Sequence, residues 1–405
     1  MVEKDLKEIR FKDNFQGVNP SISDSSTYAF ATAQDMNDTF QGEKEQFLYS
    51  RHSSPTNQQL ADEMAKMEGS EAAHVFASGM GAISATLLQL CEHGDHIISS
   101  RTIYGGSHAL LKNVFPKWGI TTSFVDITDL HAIENAICEK TKIIYCESLS
   151  NPLLELADIK EISRIAEKHR LTFIVDNTFT PLIFKPIQLG ADVVIHSLTK
   201  FINGTSDTVA GAVCGSADLI NSMKDVSSGC AMLLGQTLDS LRAASIVKNR
   251  QTLELRMKKH SENAYYLAQE FDKYGINTIY PGLRSHKDHE LFHSQRSKDF
   301  GYGGILGLDL KSEQRAHLFM EKMQEAGLGY LAVSLGYFKT LFSASGSSTS
   351  SEISEEEQKE MGLSKGLVRI SVGLDHDIEN TLCQMIQIYQ YVDQIYPMND
   401  EVVCN

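Results

Sequence analysis

The chain has no lysine- or arginine-rich run, no basic–aromatic interleaving and no C-x-x-C pair. With 52 acidic against 37 basic residues its net charge is −15, which disfavours binding to a phosphate backbone. No uninterrupted apolar stretch approaches the ~18 residues that a membrane span requires. The opening segment, Met1-Val2-Glu3-Lys4-Asp5-Leu6-Lys7, is charged and holds no apolar signal-peptide core. Cys91, Cys138, Cys146, Cys214, Cys230, Cys383 and Cys404 form an odd, scattered set. Such a set reads as reduced thiols in a reducing compartment, so a soluble cytoplasmic protein is expected. There is no internal repeat.

What is present is ordinary globular material, 42% hydrophobic and 22% charged over 405 residues, enough for about two to three domains. Residues 1–60 are polar and weakly periodic, punctuated by Gly17, Pro20, Gly42 and Pro55, and predict an extended arm. From Gln58, Leu60, Met64 and Met67 recur at helical spacing. Buried-strand runs then alternate with helices: His96–Ile98, Lys142–Cys146, Leu171–Val175 and Asp192–Ile195, with Ile159–His169 as a crossover helix. This rhythm predicts a mostly parallel, doubly covered sheet. A long helical stretch, Leu238–Phe271, leads to strand-like Gly304–Leu310 and Leu367–Val372 and the helix Glu313–Ala326. The expected organisation is α/β: an arm (1–60), a large cofactor-binding domain (61–254) and a smaller α+β domain (255–405). The polar run Ser343–Ser351 predicts a loop.

The chemistry is concentrated at two strand ends. Ser197-Leu198-Thr199-Lys200 closes the run Ala191–Ile195, and Phe173-Ile174-Val175 ends in Asp176. A lysine at the end of a buried strand is costly to keep charged, which lowers its pKa and makes its amine nucleophilic. Parallel α/β sheets bind ligands at the carboxyl ends of their strands. A lysine for a Schiff base, an aspartate for a pyridinium nitrogen and the hydroxyls of Ser197 and Thr199 for a phosphate suit pyridoxal phosphate. Ser197-x-x-Lys200 also matches the β-lactamase and penicillin-binding signature, but the companion S-D-N and K-T-G tripeptides are missing. Ser78-Gly79-Met80-Gly81 opens a helix whose free amides could cradle the same phosphate.

The runs VDNTFTPLIFKPIQLGADVVIHSLTK, YSRHSSPT, ASGMGAISATLL and GLVRISVGLD resemble the Cys/Met-metabolism family of pyridoxal-phosphate enzymes, from Tyr28 to Asp375 and in the right order. The resemblance implies fold type I, a transferase-like large domain. It implies that the amides of Gly79 and Met80 bind phosphate and that Tyr104 stacks on the pyridine ring and acts as a general acid. It also implies that Asn151 lies near the ring's phenolic oxygen and Thr178 beneath the ring. Arg369 would clamp the substrate carboxylate, with Ser334 close to it and to Lys200. Tyr49 and Arg51 would reach the phosphate of a neighbouring subunit, giving a homo-oligomer with shared sites, a dimer of dimers.

Departures from the family pattern bear on the substrate. Phe201 stands where many members have tyrosine, Thr205 follows Gly204 where they have histidine, and Lys339 replaces a glutamate. A frequent His-Pro-Ala-x-x-Thr-His stretch is replaced by Ser345–Thr349. The serine-rich run and Tyr104-Gly105-Gly106 are most similar to plant-type methionine γ-lyases, although bacterial ones carry cysteine where Gly106 stands. The resemblance implies a carbon–sulfur lyase for a small sulfur amino acid. Methionine is the first choice; a cystathionine β- or γ-lyase, or a transferase such as cystathionine γ-synthase or O-acetylhomoserine sulfhydrylase, is the alternative. His286, His289 and His293 mimic a helical metal cluster by spacing, but no metal role is expected.

Overall fold

The computed structural model describes residues 17–344 and 355–397. Its larger sheet has seven strands: β1 (Ala72–Phe76), β2 (His96–Ser100), β3 (Thr121–Val125), β4 (Thr141–Glu147), β5 (Thr172–Asp176), β6 (Val193–Ser197) and β7 (Gly211–Gly215). They lie in the order β1-β7-β6-β5-β4-β2-β3. Only β7 runs against its neighbours; the other pairings are parallel. Ile143, Ile144, Phe173, Ile174, Val194 and Ile195 are buried on both faces of this sheet, as helix-covered parallel strands demand. The register aligns Glu147 with Asp176, and Asp176 with Ile195. The carboxyl ends of β4, β5 and β6 therefore open on one edge.

The helices start where their sequence allows. Ser54 caps Pro55–Glu68 by accepting from Asn57 N–H, with Pro55 in the first turn. Asp158 caps Ile159–His169 in the same way through Glu161 N–H. Glu68 ends its helix inside the protein, where its Oε1 accepts from His196 Nε2 at 2.6 Å and from Asn177 Nδ2 at 3.4 Å. That buried carboxylate braces, from behind, the residues next to Asp176 and Ser197.

A second sheet holds β8 (Thr278–Ile279), β9 (Ile305–Asp309), β10 (Tyr330–Leu331), β11 (Leu341–Ala344) and β12 (Leu367–Ser371), ordered β10-β11-β12-β9-β8. Its helices Glu313–Glu325 and Ile378–Ile395 enclose a separate core around Phe319, Phe342 and Ile370. The two sheets meet at the lysine turn. Gly336 has φ +77°, and a Cβ there would collide with the backbone nitrogen of Phe201, so only glycine lets this strand-side loop rest on the turn after Lys200.

Four expectations are corrected. The arm contains a helix, Ala33–Phe40, capped by Thr32, whose hydroxyl accepts from Asp35 N–H. The stretch 238–271 is two helices, Ser240–Arg250 and Leu253–Lys273. It breaks where Thr252 Oγ1 and Arg256 Nη2 donate to the freed carbonyl of Asn249. Ser343 and Ala344 belong to β11 rather than to a loop, while Ser345–Ser351, Cys404 and the charged opening segment lie outside the described residues. Lys200 is not the last strand residue: β6 ends at Ser197, and Lys200 closes a turn by donating its N–H to Ser197 O at 3.2 Å.

Candidate active site

The open edge of the large sheet forms one wall of a cavity of about 460 Å³, and the loop Val333–Leu335 with Arg369 of β12 forms another. Into it project Gly79, Met80, Tyr104, Asn151, Asp176, Thr178, Ser197, Thr199, Lys200, Ser334 and Arg369, every site residue expected from the sequence apart from Tyr49 and Arg51. Those two lie elsewhere on the same chain. Tyr49 is half-exposed, and the Arg51 guanidinium sits 5.7 Å from the Tyr49 ring centroid.

Each group is delivered by a specific element. Asp176 ends β5 with 7% of its surface exposed. Its Oδ1 accepts from Thr178 N–H at 3.0 Å and from Thr178 Oγ1 at 2.5 Å, leaving Oδ2 for a ligand. Thr178 Oγ1 in turn accepts from Ser197 N–H at 2.8 Å, tying β5 to β6. Burial raises the Asp176 carboxyl above its ordinary range, against the pull of Thr178, His196 and Lys200. Lys200 Nζ donates to Ser334 Oγ at 2.9 Å. Burial, then the Arg369 charge, lowers its ammonium to about 8, while Asp176 opposes the shift. Ser334 has φ 95°, a strained value for serine. Its hydroxyl meets Lys200, and its carbonyl accepts from Arg369 Nη2 at 3.0 Å.

The helix Gly79–Leu90 begins at the cavity. Ser78 Oγ accepts from Gly81 N–H at 2.9 Å, and the amides of Gly79 and Met80 have no partner among the described residues. Close approach is built in. A Cβ on Gly79 would lie 2.9 Å from Ser197 Cβ, and one on Gly211 would collide with the Ser78 carbonyl oxygen. A cradle of two free amides at a helix N-terminus, with the Ser197 hydroxyl beside it, fits a phosphate. A buried carboxylate and a low-pKa lysine complete the donor set for pyridoxal phosphate. Thr199 lines the cavity too, but its hydroxyl exchanges both bonds with Ala210, donating to O at 3.2 Å and accepting from N–H at 3.0 Å.

Sequence reasoning missed Glu147, which ends β4 in the cavity wall. The signal was available: the run Lys142–Cys146 ends in a carboxylate as the run Phe173–Val175 does. Of the departures, Phe201 is fully buried against His260, ring centroids 5.2 Å apart. Lys339 turns to Tyr330, donating to its hydroxyl at 3.3 Å, and neither it nor Tyr337 lines the cavity. Gly106 is where the Tyr104 ring rests, since a Cβ there would lie 2.6 Å from Tyr104 Cε1. His289 and His293 stack on Tyr302, and no group of three or more His, Cys, Asp or Glu among the described residues could hold a metal.

Residues 6–386 match the family described as Cys/Met metabolism PLP-dependent enzyme. A methionine γ-lyase of Arabidopsis thaliana is 46% identical over 375 residues, spanning 91% of this chain and 85% of that one. An L-methionine γ-lyase of Pseudomonas putida is 38% identical over 380 residues, 93% of each chain. Among solved structures, a Campylobacter jejuni protein described as a putative O-acetylhomoserine (thiol)-lyase with N'-pyridoxyl-lysine-5'-monophosphate superposes with a TM-score of 0.87 at 31% identity, covering 93% of this chain and 96% of that one.

Proposed function

The chain belongs to the Cys/Met metabolism PLP-dependent enzymes, and we propose that within that family it is a carbon–sulfur lyase that cleaves methionine to 2-oxobutyrate, ammonia and methanethiol. The observation that carries this choice is the composition of the cavity. Its cations are Lys200 and Arg369, and its remaining wall is largely apolar, with Leu149, Phe179, Val209 and Val333. One guanidinium serves one carboxylate, and the apolar wall suits a thioether. Cystathionine carries a second amino acid group, which would be desolvated there without a charged partner.

When bound, pyridoxal phosphate supplies an aldehyde that captures the substrate amine and a ring that takes up the electrons freed at Cα. The Gly79 and Met80 amides and the Ser197 hydroxyl would hold its phosphate, with the Thr199 hydroxyl, now bonded to Ala210, beside them. Asp176, oriented by Thr178, would hold a proton on the ring nitrogen. Arg369 binds the α-carboxylate, with its guanidinium aimed by Asn151 Oδ1 at 2.9 Å and Ser334 O, and so fixes the Cα–H bond. Lys200, whose Nζ lies in the same cavity, would take that proton as the neutral amine its lowered pKa favours. Ser334 Oγ steers its Nζ during proton movement between Cα and Cβ. Tyr104 at the mouth gives a proton to the departing thiolate. The described cysteines are unpaired, which supports a reducing, cytoplasmic setting; no helix among the described residues is long and apolar enough to cross a membrane.

Tyr49 and Arg51 complete the phosphate site of a second copy of this chain, so the working unit is at least a dimer and, by family, a dimer of dimers. Their position outside their own cavity supports this reading. Arginine suits the task, being permanently charged and able to bind two phosphate oxygens at once. Mixing inactive Arg51→Ala with inactive Lys200→Ala should restore about a quarter of wild-type activity, because half of random dimers carry one intact site of two. No recovery after subunit exchange, or an active monomer, refutes the shared site. The reaction itself is tested by product identity: methionine must yield methanethiol, ammonia and 2-oxobutyrate in equal amounts.

A further inference from the structure

Glu147 is buried in the cavity wall, 7% exposed, with no task in the reaction above. Its two oxygens each take one backbone amide: Oε1 accepts from Tyr104 N–H and Oε2 from Asn151 N–H, both at 2.9 Å. One carboxyl thus fixes the loop that carries the aromatic ring and the loop that aims Arg369. The Arg369 guanidinium donates to neutral acceptors, Asn151 Oδ1 and Ser334 O. A buried cation so placed needs a counter-charge, and Glu147 is the carboxylate that acts most on it. Asp176 stands beside Glu147 in register, and two adjacent buried carboxyls resist joint ionisation. Burial, then Asp176, pushes Glu147 up to about 8, against the pull of the two amides and Arg369.

We propose that Glu147 is a positioning residue that, in its ionised form, serves as the counter-charge of Arg369 until a substrate carboxylate arrives, and takes up a proton when it does. The inference rests on Arg369 being the carboxylate clamp. An incoming carboxylate claims the guanidinium and adds negative charge beside Glu147 and Asp176. Protonating Glu147 relieves that repulsion without breaking either amide bond, because each oxygen keeps a lone pair for its N–H. The titratable and charged groups around Glu147 are Tyr145 and Cys146 on its own strand, Asp176 from β5, the Tyr104 loop and Arg369 from β12. Lys200 and His196 act on it through Asp176. A bound anion raises the Glu147 pKa, so binding weakens as pH rises through the free-site value.

The test uses holoenzyme and 4-(methylthio)butanoate, methionine without its amine, which cannot react with the cofactor and has no amine of its own to titrate. Calorimetry in buffers of different ionisation enthalpy counts protons at pH 7, 8 and 9. The expected result is proton uptake that grows from pH 7 to 9, with Kd rising by up to about tenfold per pH unit at the upper end. Glu147→Gln should bind with little uptake and a Kd nearly flat over this range. Wild-type binding without proton exchange at all three pH values overturns the proposal, and that count needs no variant. Uptake undiminished in Glu147→Gln also overturns it, placing the proton on Asp176 or Lys200. Failure of the clamp reading shows separately, as Arg369→Gln binding the ligand as tightly as wild type.

Discussion

Lys200→Ala should lower turnover of methionine by about 10⁴-fold or more, at or beyond the upper end of what one positioned acid–base group supplies, because the same amine also anchors the cofactor. The substituted protein should still fold and take up pyridoxal phosphate, since the phosphate cradle of Gly79, Met80 and Ser197 is independent of that side chain. Borohydride reduction of the wild type should fix the cofactor on the peptide containing Lys200, and reduction of Lys200→Ala should fix none. A label on another lysine, or turnover within about tenfold of wild type, removes Lys200 from its role. Its pKa gives a second readout. Only the neutral amine attacks an electrophile, so in cofactor-free protein Lys200 labelling by trinitrobenzenesulfonate should rise with pH and reach half its plateau near 8, where its pKa is placed. Solvent-exposed lysines should lag by about two pH units. Coincident curves would show that burial does not depress this amine.

Asp176→Asn is expected to keep cofactor binding and lose activity by about 10²–10³-fold, the scale of removing one electrostatic partner of a reacting group. The substitution is nearly isosteric. The amide oxygen of the introduced side chain can still accept from Thr178, so the strand end and its tie to Ser197 survive. What disappears is the negative charge that keeps a ring nitrogen protonated, and hence the ring's capacity to hold electrons. Cofactor content by absorbance, measured beside kcat, separates the two effects. Near-normal kcat at full occupancy would contradict the assignment.

Much of this site was legible because apolar runs that end in a polar side chain mark the carboxyl ends of buried strands. Asp176 and the Ser197–Lys200 turn are announced that way, and the register then brings them to one edge. Glu147 carries the same mark but is followed by Ser148-Leu149-Ser150-Asn151-Pro152, which directs attention to the turn. β1 and β7 were not anticipated, because Ala72–Phe76 and Gly211–Gly215 are rich in alanine and glycine, with few of the β-branched residues that signal strands. The break at Gln251–Thr252 depends on Arg256 satisfying carbonyls of Phe201, Ile202 and Asn249, a long-range event that periodicity does not record. The partner of Lys200, Ser334, lies 134 residues away; family resemblance supplied it, and no local pattern would have.

A one-guanidinium, apolar-walled cavity selects methionine over a substrate with a second amino acid group. The direct measurement compares kcat/KM for methanethiol and 2-oxobutyrate release from methionine with that for cystathionine cleavage, read as homocysteine with pyruvate or as cysteine with 2-oxobutyrate, under identical conditions. A preference for methionine of at least about tenfold is expected, the worth of roughly 1.4 kcal/mol of unpaired polar desolvation at the distal group. A higher kcat/KM for cystathionine would contradict it.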